Sequence, residues 1–357
     1  MLTFRSDLKK KKPVVVNVPH KNDMMCLNES TLPLWKSIQD AVLHKLDAVP
    51  LNRYFNPITD ELFQRLSDYA EVPREWLAVG NGADEMLYYL FVATRENAES
   101  FGVSAAPSYF DYQSYTSAVG MGIRLVNFAP DYSFPLASFL DACNHKDCKL
   151  IILCNPNNPT GHLLDASCIK TVIEANPAKL ILIDETYYEF SGVTWKEKLD
   201  DYPNLVLVRS FSKGFSAAGL RFGYCIARPE VIGELKKVMT AFHLSLLTQA
   251  TVCAMLEKQN LFMQHNARVK ELKQQLFASM AAIDGMTVHP SATNFLTFSV
   301  GEETPRLFDF LNENEIAVRA VWSHPVLANT LRVTVGTAEQ NGRFLNCVKK
   351  FMKERKQ

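Results

Sequence analysis

The sequence has no apolar run long enough for a signal peptide or a membrane span, and no Cys-x-x-Cys pair among its eight cysteines. It has no net charge either, since Lys plus Arg and Asp plus Glu each number 38. Each absence removes a class of function. Without an apolar span a membrane is not an expected partner. Without a surplus of either sign no global field draws in nucleic acid. Scattered cysteines argue for a reducing cytoplasm, and no metal centre is called for. There is also no internal repeat and no low-complexity linker, so domain boundaries fall inside compact sequence. The basic run Lys9–Lys12 reads as a solvated tail. What is left is a chain of 357 residues, 47% hydrophobic, that is long enough for a large and a small domain and whose partner is a small molecule.

Helical periodicity covers 33–48 and 59–70, joined by the turn-rich Leu51-Asn52-Arg53-Tyr54-Phe55-Asn56-Pro57. From Trp76 onward short Val/Ile/Leu runs alternate with helices. Strands are expected at 76–79, 102–105, 123–128, 149–154, 179–184, 205–209 and 222–227, with helices at 83–94, 108–119, 135–143 and 165–174 between them. Such alternation predicts an α/β domain with a mostly parallel central sheet covered by helices on both faces. Its ligands gather at the carboxyl ends of the strands. Beyond 229 the pattern changes to long helices at 229–240 and 261–282, strands at 294–299, 316–319 and 331–335, and a last helix. The expected division is a large domain at 46–243 and a smaller α+β domain made of 1–45 and 244–357.

The chemistry-bearing residues fall at strand ends. Lys213 lies in Ser210-Phe211-Ser212-Lys213, between two core strands. A buried ammonium is costly and its pKa falls, which suits an imine-forming amine. Ser210, Ser212 and Arg221 supply hydroxyls and a fixed cation of the kind that holds a phosphate. One turn thus offers sites for an aldehyde and a phosphate together, the two groups that pyridoxal phosphate (PLP) carries; alternatively it is a surface turn with one lysine. Gly80-Asn81-Gly82-Ala83-Asp84-Glu85 brings backbone N–H groups to a helix start, where Asp84 and Glu85 also suit the helix dipole. Tyr109 either stacks on a flat ring or packs on the sheet edge. In Asn155-Pro156-Asn157-Asn158-Pro159 two prolines keep the asparagines out of a helix, presenting Asn158 as a donor. Asp184 ends four apolar residues and needs a cation, unless it caps a helix or closes an ion pair; Tyr187 follows three residues later.

Taken in order, these motifs make the chain resemble fold-type I PLP-dependent aminotransferases, and within them the histidinol-phosphate aminotransferase family. Leu27-Asn28-Glu29, Asn52-Arg53-Tyr54, Gly82-Ala83-Asp84-Glu85, Pro107-Ser108-Tyr109, Asn157 to Gly161, Asp184 to Tyr187, Ser210 to Lys213, Gly219-Leu220-Arg221 and Leu331-Arg332-Val333-Thr334-Val335-Gly336 carry the resemblance over nearly the whole chain. It implies Lys213 as Schiff-base lysine and proton shuttle, Asp184 on the pyridinium nitrogen, Asn158 and Tyr187 on the ring oxygen, and Tyr109 on the ring face. It implies a phosphate held by the backbone of Ala83 and Asp84 with Ser210, Ser212 and Arg221, and by Tyr54 from the partner of a homodimer. Arg332 then takes the substrate carboxylate and Arg319 a substrate phosphate, with a 2-oxo acid such as 2-oxoglutarate as amino acceptor. A threonine-phosphate-type decarboxylase is the alternative on the same scaffold, and a non-catalytic binding module is less favoured. The family's Pro-Tyr pair before the Asn-Glu motif is missing, with Val16-Asn17-Val18-Pro19-His20 in its place. Phe242 and His243 stand where relatives carry tyrosine and proline.

Overall fold

A computed structural model of the chain describes residues 5–8, 20–31, 33, 35–50, 52–54 and 56–355. The Lys9–Lys12 run, Val16 to Pro19, Leu51 and Phe55 lie outside the described residues. A two-residue strand β1 (Asp23–Met24) comes first, followed by β2 (Leu77–Gly80), β3 (Phe101–Ala106), β4 (Gly122–Asn127), β5 (Cys148–Cys154), β6 (Leu180–Asp184), β7 (Leu205–Ser210) and β8 (Gly223–Ala227). The last seven form one sheet in the order β2-β8-β7-β6-β5-β3-β4, in which β8 runs antiparallel to both neighbours and the remaining pairings are parallel. This is the α/β architecture expected from the alternating pattern, with all seven strands at the expected places.

The central strands are apolar because both of their faces are covered. Ile151, Ile152, Leu182, Ile183, Val206 and Leu207 have no exposed surface, and each contributes roughly 1.5–3 kcal/mol by leaving water. Alternate residues feed two cores, Ile151, Ile183 and Leu207 on one side and Ile152, Leu182 and Val206 on the other. The sheet therefore has little freedom to shift its register, and the residues at its strand ends are fixed relative to one another.

The second sheet comprises β9 (Thr287–His289), β10 (Phe295–Ser299), β12 (Arg319–Ala320) and β13 (Leu331–Thr334), all antiparallel in the order β12-β13-β10-β9. Between them β11 (Ile316–Ala317) pairs in parallel with β1. The strand expected at 316–319 is thus two, because Val318 separates residues that pair with the N-terminal segment from residues that pair with β13. A helix at Leu246–Glu257 stands where none was expected. It packs with the helices Trp35–Leu46 and Ile58–Ala70. The buried Ile38, Val42, Ala250 and Cys253, which lie in the stretches expected for the small domain, join the same core as Ile151.

Candidate active site

The strand ends of the large sheet converge on a cavity of about 1020 Å³. That is room for a cofactor and a substrate together, at the upper end of small-molecule sites. Its floor is the turn after β7. Ser210 caps the short helix Phe211–Gly214, its Oγ accepting from Ser212 N at 3.1 Å. This leaves the Ser210 hydroxyl proton free to donate. Lys213 stands in that turn and donates from Nζ to the Leu27 carbonyl at 2.9 Å. Burial, with the nearby Arg332 guanidinium adding to it, pushes its amine down to about 8. The amine is therefore partly neutral near neutral pH, as nucleophilic imine formation requires.

Asp184 closes β6 with 4% of its surface exposed. Its Oδ2 accepts from the Tyr112 hydroxyl at 2.6 Å and its Oδ1 from Thr186 N at 3.0 Å. Both donors are neutral, and among the described residues no Lys, Arg or His lies within ion-pair distance of it. Burial raises its pKa against those two hydrogen bonds. The ion-pair alternative for Asp184 is thereby removed, and a carboxylate without its cation faces the cavity. Tyr112 was not singled out from the sequence. Its signal was its place three residues after Tyr109 in the helix expected at 108–119, which in the structure begins only at Asp111.

The phosphate side is built by the start of the helix Ala83–Thr94. Gly82 takes φ +85°, and a Cβ there would meet Arg221 Nη2 at 2.7 Å. Gly223 sits against the same turn, where a Cβ would come within 2.2 Å of Ala83 N. Only glycine fits either position. Glu85 accepts from Asn81 N at 2.7 Å and so belongs to the helix start rather than to the cavity. Asp84 has two partners: Arg221 Nη2 donates to its Oδ2 at 2.6 Å and the Tyr109 hydroxyl to its Oδ1 at 3.1 Å. Arg221 also reaches Ser212 Oγ at 3.4 Å. The structure therefore brings Ala83, Asp84, Ser210, Ser212 and Arg221 together at one end of the cavity, with Tyr109 beside them.

The opposite wall comes from the small sheet and the N-terminal segment. After β1 the chain runs through Cys26, Leu27 and Asn28 across the mouth, held by Thr334 N donating to Met25 O at 2.9 Å. Asn28 takes φ +54° and donates Nδ2 to the Tyr187 hydroxyl at 2.8 Å. Arg332 is buried; it donates to Asn158 Oδ1 at 2.5 Å and to the Cys26 carbonyl at 2.9 Å, while its Nε has no partner among the described residues. Arg319 sits directly opposite Arg332 in the antiparallel pair, so both side chains share the face toward the cavity. Among the described residues no carboxylate pairs with either. Asn157 donates from Nδ2 to Pro107 O and Thr160 Oγ1 and so holds the loop that carries Asn158. Tyr54 does not line the cavity. It is 78% exposed and stacks on Phe242 at 5.0 Å.

These residues fit PLP. A lysine amine, a buried carboxylate, a tyrosine and an asparagine, and a helix start beside Arg221 line one cavity, and would suit in turn the aldehyde, ring nitrogen, ring oxygen and phosphate of that cofactor. Comparison with known proteins agrees in class. The model of the family Aminotransferase class I and II matches residues 22–348, and the chain belongs to that family. Histidinol-phosphate aminotransferase of Vesicomyosocius okutanii is 33% identical over 355 residues, which cover 98% of this chain and 97% of that protein. The enzyme of the same name from Caldanaerobacter subterraneus is 30% identical, covering 95% of each chain. In fold the chain is similar to histidinol-phosphate aminotransferase of Sinorhizobium meliloti, solved with pyridoxal-5'-phosphate, with a TM-score of 0.85 at 22% identity over 98% of both chains. L-threonine-O-3-phosphate decarboxylase of Porphyromonas gingivalis shares the fold at a TM-score of 0.78 and 21% identity, over 93% of this chain and 99% of that one. Among the described residues no helix is long and apolar enough to cross a membrane.

Proposed function

We propose that this aminotransferase uses PLP on Lys213 to move the amino group of a doubly anionic or phosphorylated amine of the histidinol-phosphate kind to a 2-oxo acid such as 2-oxoglutarate. The observation that carries the substrate class is the Arg319–Arg332 pair. Like charges directly opposite on neighbouring strands repel, and no carboxylate among the described residues offsets them. An anion between or beside them supplies what the fold leaves out. Arg332, fixed by Asn158 and Cys26, aims its remaining donors at a carboxylate or phosphate; Arg319, whose guanidinium has no carboxylate partner among the described residues, reaches a second one.

When bound, PLP supplies the electron sink into which the substrate Cα–H electrons are delocalised. The chain does the remainder. Asp184 holds a proton on the ring nitrogen, Tyr187 and Asn158 steady the ring oxygen, and Tyr109 limits tilt of the ring. The Lys213 amine would serve as the base that takes the proton from the substrate Cα and returns it. Arg319→Ala should raise KM about 10- to 100-fold for donors with a distal phosphate or carboxylate, the value of one charge-assisted contact. Arg332→Ala should impair every carboxylate-bearing donor. Steady-state kinetics on a panel of neutral, acidic and phosphorylated amines read both effects. Equal rates for neutral and anionic donors, unchanged in Arg319→Ala, would remove the substrate class.

A homodimer with shared sites is part of the same reading, with Tyr54 reaching the partner's phosphate end. Support comes from the Tyr54–Phe242 stack, which leaves two aromatic rings 78% and 58% exposed on one chain. Mixing Tyr54→Phe with Lys213→Ala subunits should restore activity to about a quarter of wild type, because each heterodimer then holds one unmutated site. No gain on mixing would show that Tyr54 does not cross. A reducing, cytoplasmic setting is supported by eight cysteines that are all free, seven of them buried.

A further inference from the structure

Behind the Lys213 turn, on the side away from the cavity, lies a titratable group that the reaction above does not use. Glu189 follows Tyr187 by two residues in the short helix Tyr188–Ser191 and is 8% exposed. It reaches the back of the Phe211–Gly214 turn. A Cβ on Gly214 would stand 2.6 Å from Glu189 Cδ, Cγ and Oε2, so glycine is required at 214 because the carboxyl group fills that space. Oε1 accepts from the Tyr69 hydroxyl at 3.1 Å, while Oε2 is buried without a partner among the described residues.

The groups facing it come from four elements. Tyr69 projects from the helix Ile58–Ala70. Arg209 on β7 donates to Glu185 Oε2 at 2.9 Å and to Thr194 Oγ1 at 2.6 Å, and its guanidinium lies 3.7 Å over the Tyr188 ring. Tyr224 on β8 stands beside Arg209. Asn266, from the helix Gln259–Ala281, donates to the Gly214 carbonyl at 3.0 Å. Arg209 is thus committed to Glu185, and Glu189 has one neutral donor. A wedge of this size needs no acid, since leucine or glutamine fills the same volume. Burial pushes the Glu189 carboxyl up to about 7, with Arg209 and Tyr69 opposing, so the site changes charge near neutral pH.

We propose that Glu189 is a positioning residue for Lys213: its carboxyl braces the Phe211–Gly214 turn through Gly214, and its gain or loss of a proton changes the charge behind the lysine nitrogen. The inference rests on Lys213 being the cofactor lysine, and the experiment separates the two. Borohydride reduction of the PLP-loaded protein followed by peptide mass mapping tests the lysine; a pH titration of the visible absorption band tests Glu189. An ionised Glu189 favours positive charge on the Lys213 nitrogen. Glu189→Gln, which keeps shape and removes charge, should therefore lower the midpoint of that titration by about 0.5–1 pH unit. Tyr69→Phe keeps its ring on Phe215 and removes the hydrogen bond that favours the carboxylate. It should lower the midpoint in the same direction by less. Labelling at Lys213 together with both downward shifts supports the proposal. Labelling at Lys213 with an unchanged or raised midpoint in Glu189→Gln overturns it, even if thermal stability falls. An unchanged midpoint in Tyr69→Phe does the same should Glu189→Gln not fold. Labelling at another lysine overturns the assignment of Lys213 and the inference with it.

Discussion

Lys213→Ala is expected to abolish turnover, a loss of at least about 10³-fold, because on the proposed reading it removes both the amine that binds the cofactor and the base that moves the proton. The fold should survive. The side chain makes one hydrogen bond, to Leu27 O, and its ammonium is held in a place where burial disfavours it. The folded-state value of about 8 lies below the ordinary lysine value of about 10.4. Between those two values the unfolded chain binds more protons than the native one, so this lysine's contribution makes stability rise with pH across that window. Below pH 8 it destabilises most. Cofactor-free Lys213→Ala should accordingly match or exceed wild type in denaturant midpoint at pH 7, with the difference fading toward pH 10.5. A variant equally unstable at both pH values would mean that the lysine contributes packing instead.

Asp184→Asn should have the next largest effect. The asparagine keeps the size and can accept from Tyr112 or Thr186, yet it no longer offers the charge that is proposed to hold the proton of the ring nitrogen. Losing one preorganised electrostatic partner of this kind costs about 10²–10³-fold in kcat, and cofactor affinity should change less than turnover. Tyr112→Phe is the informative companion, since it leaves the charge and removes only the 2.6 Å hydrogen bond that orients it. An Asp184→Asn enzyme with normal kcat would show that protonation of the ring does not depend on this carboxylate.

How much of this was legible in the sequence depended on whether a residue's neighbours were local. Lys213, Asp184, Tyr187 and Arg221 stand at strand ends, where an apolar run stops and a polar residue begins, and that pattern survives translation into three dimensions. The partners of those residues do not show. Asn28 meets Tyr187 across 159 positions, and Cys26 meets Arg332 across 306. No periodicity announces a contact between a carbonyl and a distant cation. The helix Leu246–Glu257 escaped for another reason. Val252, Cys253, Ala254 and Met255 are buried on consecutive positions, so its sequence lacks the polar stripe that marks an amphipathic helix. Its one local sign was Ser245, whose Oγ caps Leu247 N. The division of 316–319 into two strands depends on different neighbours, which only the tertiary arrangement supplies.

The segment from Asp23 to Asn28 is at once a strand partner and a wall. Asp23 and Met24 pair with β11, Met25 O accepts from Thr334, Arg343 grips Asp23 with two 2.6 Å contacts, and the next two carbonyls receive Arg332 and Lys213. Six residues therefore couple the register of the small sheet to the placement of the two basic side chains proposed to meet cofactor and substrate. A change of selectivity by exchanging this segment with that of a relative cannot be made in isolation. A graft one residue longer or shorter would rotate Cys26 and Leu27 by a strand step, turning their carbonyls away from both cations. A swap that keeps the length from Asp23 to Asn28 and the Asp23–Arg343 pair leaves the side chain at 27, which lines the cavity, open to variation, so that substrate preference can drift there while the carbonyl contacts stay constant.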